Sequence, residues 1–181
     1  NRFGEANDQL GEEINLEQET ESLCKHLSSM KESHKIIVMP DFYFDHFVFY
    51  DGSFKSLQQM IQDVVNQGGG NIPFTTQNML RGGNAINCAS ALATLGAQVY
   101  FIGRTSDLGL HLLKYYFPKE NVDLSGVKTD GELALTVALE AKADGRKSNV
   151  MLNYPASVSD FGPESITKED WDKILYADMV C

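Results

Sequence analysis

A chain of 181 residues, 43% hydrophobic and 22% charged, has an ordinary globular composition; this excludes a wholly disordered or fibrous protein and allows one sizeable core. Its formal net charge of -10 repels a phosphate backbone, and with no Lys/Arg stripe to release counterions, nucleic acid is not an expected partner. The longest apolar runs, such as Ile36 to Met39 and Val99 to Ile102, fall far short of the roughly 20 residues that cross a bilayer, so no membrane span is expected.

The first 35 residues are polar and acidic, with Leu16, Leu23, Leu27 and Met30 spaced for one amphipathic helix, and they read as a leader ahead of the folded domain. No basic region precedes an apolar stretch there, so a secretory signal is not expected and a cytoplasmic location is. Ile36 to Met39 is a buried-strand pattern that ends at Pro40-Asp41, since proline cannot donate to a ladder. Phe42 to Tyr50 is dense in aromatic and β-branched residues and predicts a second strand. From Ser53 to Asn66 the apolar residues Phe54, Leu57, Met60, Ile61, Val64 and Val65 recur at three and four, which makes a helix face, and Gly68-Gly69-Gly70 breaks it.

Ile72 to Met79 predicts a strand, followed by Arg81-Gly82-Gly83-Asn84 and a small-residue helix from about Ala85 to Leu95. Gly96 sits where a helix end wants a left-handed residue. Gln98 to Gly103 is the next core strand and Leu108 to Phe117 a short helix. Glu132 to Glu140 alternates as a strand, and Asp144-Gly145 is a hairpin signal leading to Ser148 to Asn153. Thr167 fits an N-cap with Asp170 at the third helical position, and Asp178 to Cys181 begins another apolar strand. Because a domain seldom stops inside a core strand, the chain reads as a fragment.

The stretch with most chemical content is Gly82-Gly83-Asn84-Ala85-Ile86-Asn87-Cys88-Ala89, a glycine pair between a strand and a helix. Glycines let a ligand approach the backbone, and a helix N-terminus offers N–H donors; a plain tight turn is the other reading. The spacing of Gly82, Gly83, Ala85, Asn87, Ala89 and Gly96 resembles the first signature of the ribokinase-like (PfkB) carbohydrate kinases, and Asp45 stands where that family has a sugar-binding aspartate. The resemblance runs over residues 36 to 181. It implies an α/β, Rossmann-type ribokinase-like sandwich, truncated on its C-terminal side, with a small β-sheet lid at about residues 42–52, 72–81 and 132–153.

It also implies a substrate set of Asp45, Gly82, Gly83, Asn84, Asn87, Tyr43 and Ser148. Asp45 would accept bonds from vicinal hydroxyls, Gly83 would bring backbone close, and Asn87 would supply an amide able to donate and accept. Asn84 lies where ribokinase has a lysine and Ser148 about where it has a glutamate, so the ribose set is incomplete. Ser106 replaces the signature's closing glycine, and Pro40 another family glycine. Tyr43, Phe42, Phe44, Phe47 and Phe49 form an aromatic run that suits a pocket lining, a lid-to-lid homodimer or core packing equally.

The family's later Gly-Ala-Gly-Asp motif, whose aspartate deprotonates the acceptor hydroxyl, is not among these residues, and no Walker-type phosphate loop occurs. The expectation is a sugar or nucleoside kinase using ATP and Mg in its intact form, represented by an inactive N-terminal half without catalytic or metal residues. A non-catalytic sugar-binding or dimerisation module is the alternative. Cys24, Cys88 and Cys181 are odd in number and widely spaced and read as reduced thiols, and His26, His34, His46 and His111 have no zinc spacing.

Overall fold

The computed structural model describes residues 16–29, 33–73, 75–118, 122–143 and 145–181. Its contacts divide the chain into two units, Asn1–Ser33 and His34–Cys181. In the first unit, helix α1 (Leu16–Ser29) forms over the acidic stretch where apolar spacing predicts one, and its Leu23 is exposed. Met30 lies outside the described residues. Among the described residues no helix is long and apolar enough to cross a membrane.

The second unit is α/β. Strands β1 (Lys35–Val38), β4 (Gln98–Arg104), β5 (Val122–Lys128) and β8 (Met179–Val180) form a parallel sheet in the order β5-β4-β1-β8. Helices α3 (Asn84–Thr94) and α4 (Asp107–Tyr116) lie on one side of it, and α5 (Lys168–Leu175) on the other. Because strand side chains alternate, Ile36, Val38, Val99 and Phe101 face α3 and α4, while Ile37, Tyr100 and Ile102 pack with Ile174 of α5. Each fully buried aliphatic or aromatic side chain here contributes roughly 1.5–3 kcal/mol. Strand β5 has no counterpart in the sequence reading: Asp123, Ser125 and Gly126 dilute its apolar signal, and Gly126 is required because a Cβ there would lie 2.6 Å from the Phe101 carbonyl oxygen.

A second sheet, over the residues expected to form the lid and called by that name below, has the order β3-β2-β6-β7. It contains β2 (Tyr43–Ser53), β3 (Thr75–Gly82), β6 (Ala134–Ala143) and β7 (Arg146–Tyr154). Strand β2 starts one residue later than its aromatic run, because Phe42 turns inward and is 3% exposed in the core. Strand β3 starts beyond Pro73 and runs through Gly82, which still pairs with Tyr43. Between β2 and β3 lies α2 (Phe54–Asn66), opened by a Ser53–Ser56 capping box and followed by the three glycines at positive φ. Asp144 of the expected β6–β7 turn lies outside the described residues; Gly145 has φ 76°.

Helix α5 is tied to the sheet by one buried carboxylate. Asp170, 1% exposed, accepts from the Tyr100 hydroxyl at 2.8 Å, from the Thr167 backbone N–H at 2.8 Å and hydroxyl at 2.7 Å, and from the Lys128 ammonium. Burial opposes its charge, but the bonds from Lys128, Thr167 and Tyr100 outweigh this and hold the carboxyl below its ordinary 3.8. Asp170→Ala removes the acceptor of the Tyr100 hydroxyl and the charge partner of Lys128, which keeps only its bond to the Gly126 carbonyl, and is expected to cost about 3–5 kcal/mol in urea unfolding. The folded carboxyl binds its proton less tightly than the unfolded one, so this stabilisation is full above 3.8 and is lost as pH falls through the lower folded value. The stability difference between wild type and Asp170→Ala should shrink across that acid range.

Candidate functional site

The candidate site forms where β1 ends, β2 begins and α3 starts, at the C-terminal edge of the parallel sheet, the usual place for ligands in open α/β folds. Gly83 occupies the N-cap position of α3 and has no side chain to satisfy the first helical N–H groups. Asp41, which follows β1, supplies the missing acceptor: its Oδ2 accepts from Asn84 N at 2.7 Å and its Oδ1 from Ala85 N at 2.8 Å. A carboxylate at a helix N-terminus also meets the positive end of the helix dipole. The first N–H donors of α3 are therefore committed inside the protein, which corrects the expectation that the helix start offers them to a ligand.

Gly83 is held in this geometry from both sides. Its φ is +100°, and a Cβ there would lie 2.6 Å from the Asp41 carbonyl oxygen. Beside it, a Cβ on Gly82 would lie 2.0 Å from Oδ2 of Asp45. The Asp45 carboxylate thus lies over bare backbone at the head of α3. Tyr43 pairs directly with Gly82 and, two residues from Asp45, shares its face of the lid. Tyr43, Asp45, Gly82 and Gly83 come together.

The other expected residues are placed differently. Asn84 is exposed, and its contact to Asp41 runs through its backbone N–H. Asn87 is exposed one turn into α3, where its Oδ1 accepts from Arg81 Nη1 at 3.5 Å. Arg81 also donates to the Ile86 carbonyl at 3.3 Å and to Ser90 Oγ at 2.6 Å, and stacks over Phe117, so it fastens the end of β3 to α3.

Ser148 does not join the group. It pairs with Ala141, whereas the lid row through Asp45 reads Leu80, Asp45, Thr136, Asn153. Ser148 is thus five residues along β7 from that row, about 17 Å at strand rise, and an odd step puts it on the opposite face. Asn153, exposed on Asp45's row and face, stands there instead.

The alternation also divides the aromatic run. Tyr43, Phe47 and Phe49 share Asp45's face, with Phe47 and Phe49 stacked at 6.0 Å, while Phe44 lies on the other face with His46 and Val48. Ser106, which departs from the family glycine, is the N-cap of α4 and accepts from Gly109 N at 3.3 Å.

A family model described as "pfkB family carbohydrate kinase" matches residues 56–181. The chain belongs to this family. The match contains Gly82, Gly83 and Asn87; Tyr43 and Asp45 precede it and are joined to it by the contact at Gly82. No curated protein sequence matches the chain.

Among solved structures, the chain is similar to Arabidopsis thaliana ribokinase complexed with ribose and ATP, with TM-score 0.62 and 18% identity, covering 82% of this chain and 45% of that one. It is also similar to a carbohydrate kinase from Agrobacterium tumefaciens, with TM-score 0.56 and 17% identity, covering 82% of this chain and 44% of the other. These likenesses show the ribokinase fold, and the chain spans less than half the length of either relative.

Gly83 and Gly96 test the role of the turn. Both have positive φ, but nothing lies within 4 Å of a Cβ on Gly96. Gly96→Ala should cost about 1 kcal/mol, the strain of a left-handed residue alone. Gly83→Ala should cost at least twice that in denaturant unfolding, because the new Cβ also displaces the Asp41 backbone.

Proposed function

We propose that residues 36–181 form the acceptor-binding part of a sugar or nucleoside kinase, in which Asp45 binds vicinal hydroxyls beside Gly82 and Gly83. The observation that carries this reading is the Asp45 carboxylate lying over Gly82, next to Gly83 at the head of α3. An ionised carboxylate accepts several hydrogen bonds, and Gly82 leaves the room in which it sits at the head of α3. Tyr43 borders the acceptor, and Asn87 and Asn84 supply polar groups along α3. The proposed reaction of the whole protein is transfer of the ATP γ-phosphoryl to a hydroxymethyl group.

ATP and Mg belong in this proposal to parts of the enzyme beyond these residues. Among the described residues no group of three or more His, Cys, Asp or Glu could hold a metal ion, and the sequence has neither a phosphate loop nor the Gly-Ala-Gly-Asp motif. No step of transfer is assigned to the residues present, and the 181-residue chain alone is proposed to bind without catalysing. The family's solved relatives include the Arabidopsis enzyme with ribose and ATP, which supports the choice of first substrates.

A homodimer through the lid is part of the same proposal. The face opposite Asp45 carries Met79, Leu135, Val150 and Leu152, all exposed. A second lid would cover such a face.

Two experiments test the proposal. The whole protein with ATP is screened for phosphorylation of sugars and nucleosides, and for the best acceptor Asp45→Ala should lower kcat/KM by about 100-fold, the value of one or two charge-assisted hydrogen bonds. Ser148→Ala should leave it unchanged; equal losses for both variants would remove Asp45 from the site. In sedimentation, Leu152→Glu should turn a dimer into a monomer without altering the circular dichroism.

A further inference from the structure

Two of the three cysteines, 93 positions apart in sequence, meet beneath α3. Cys181 extends β8 by one residue: its N–H donates to the Ile37 carbonyl at 2.9 Å, and its carbonyl accepts from Met39 N at 3.0 Å. Those two bonds place it opposite Val38, one step beyond the Ile37–Val180 pair. Residues opposite one another in a sheet share a face, and Val38 faces the α3 side. The Cys181 side chain therefore faces α3 as well. Cys88, in the second turn of α3, packs against the same cluster of Val38, Phe42, Ile86 and Ala89, so the two thiols are neighbours on the α3 side of the sheet.

We propose that Cys88 and Cys181 are a dithiol–disulfide pair whose oxidation ties α3 to the end of β8. Two thiols that face each other across one packed layer are in the arrangement a disulfide requires. A metal is a poorer occupant, since no third His, Cys, Asp or Glu joins them among the described residues. Cys88 is half-buried, and burial together with the neighbouring Cys181 pushes its thiol up from 9.0, so the first attack falls to the other cysteine. Cys181 is the entry point and Cys88 the resolving thiol.

The oxidant is a low-molecular-weight disulfide. The Cys181 thiolate attacks one of its sulfurs, forming a mixed disulfide and releasing the first small thiolate. Cys88 then gives its proton to solvent and its sulfur attacks that of Cys181, forming the protein S–S bond and expelling the second small thiolate. Both cysteines are oxidised and the small disulfide is reduced to two thiols. Because Cys88 directly follows Asn87, the bond anchors the turn of α3 behind the Gly82–Gly83 site. This inference concerns the cysteines alone and does not depend on the kinase reading.

The test incubates the folded chain with oxidised glutathione and maps its peptides without reduction. The expected result is loss of two hydrogens in mass, one Cys88–Cys181 linked peptide, and faster migration on a non-reducing denaturing gel. Cys88→Ser should stop at the intermediate and retain one glutathione on Cys181, while Cys24→Ser should form the same linkage as wild type. Stable glutathione adducts on both cysteines of the wild type, or linkage through Cys24 in the folded chain, would overturn the proposal.

Discussion

The contact on which the site depends is the Asp41 carboxylate at the start of α3. Three demands meet there. The first N–H groups of the helix need an acceptor, Gly83 has none to give, and the chain leaving β1 must turn toward the lid. Asp41 meets all three at once, because its backbone touches Gly83 while its side chain bonds Asn84 and Ala85. The cost of an unsatisfied helix end, about 0.5–2 kcal/mol for a cap, is therefore avoided by a residue from another element. The close approach this requires is what makes glycine necessary at position 83.

The same contact sets the place of the lid. Strand β2 begins two residues after Asp41, so its first rows, Tyr43 with Gly82 and Asp45 with Leu80, are held at the head of α3. Strand alternation then sorts the lid into two faces. One presents Asp45 with Tyr43 beside the glycine pair; the other presents the aliphatic residues Met79, Leu135, Val150 and Leu152. A one-residue slip in β2 would exchange these faces and carry Asp45 away from Gly82, so register and site are one constraint. On the far side of the parallel sheet, Asp170 does comparable work for α5, joining Tyr100 of β4 and Lys128 of β5 to the helix start.

Much of this was legible in the residues. Helix α2, α3 with its following Gly96, and the Thr167–Asp170 start of α5 are written in local spacing and capping chemistry, and they fold as that spacing predicts. The glycine pair before α3 was equally visible, as was the family resemblance that the match over residues 56–181 shows. Strand β5 was not, because its Asp, Ser and Gly residues hide a pattern that only its place beside β4 explains. Asp41 carried no signal either: in sequence it is a residue after a proline, and its partners lie 43 and 44 positions away.

The sequence by itself determined the family and the starts of helices α2, α3 and α5, because capping, periodicity and turn glycines act over a few residues. Only the tertiary structure decided which residues share the site. The parity of pairing across β6 and β7 removed Ser148 and placed Asn153 on Asp45's row. The docking of α3 on β1 took two helix donors for Asp41 and put Cys88 on the face of the sheet that Cys181 shares. Each of these depends on a register or a contact between segments far apart in the chain, and residue-by-residue preferences are blind to both.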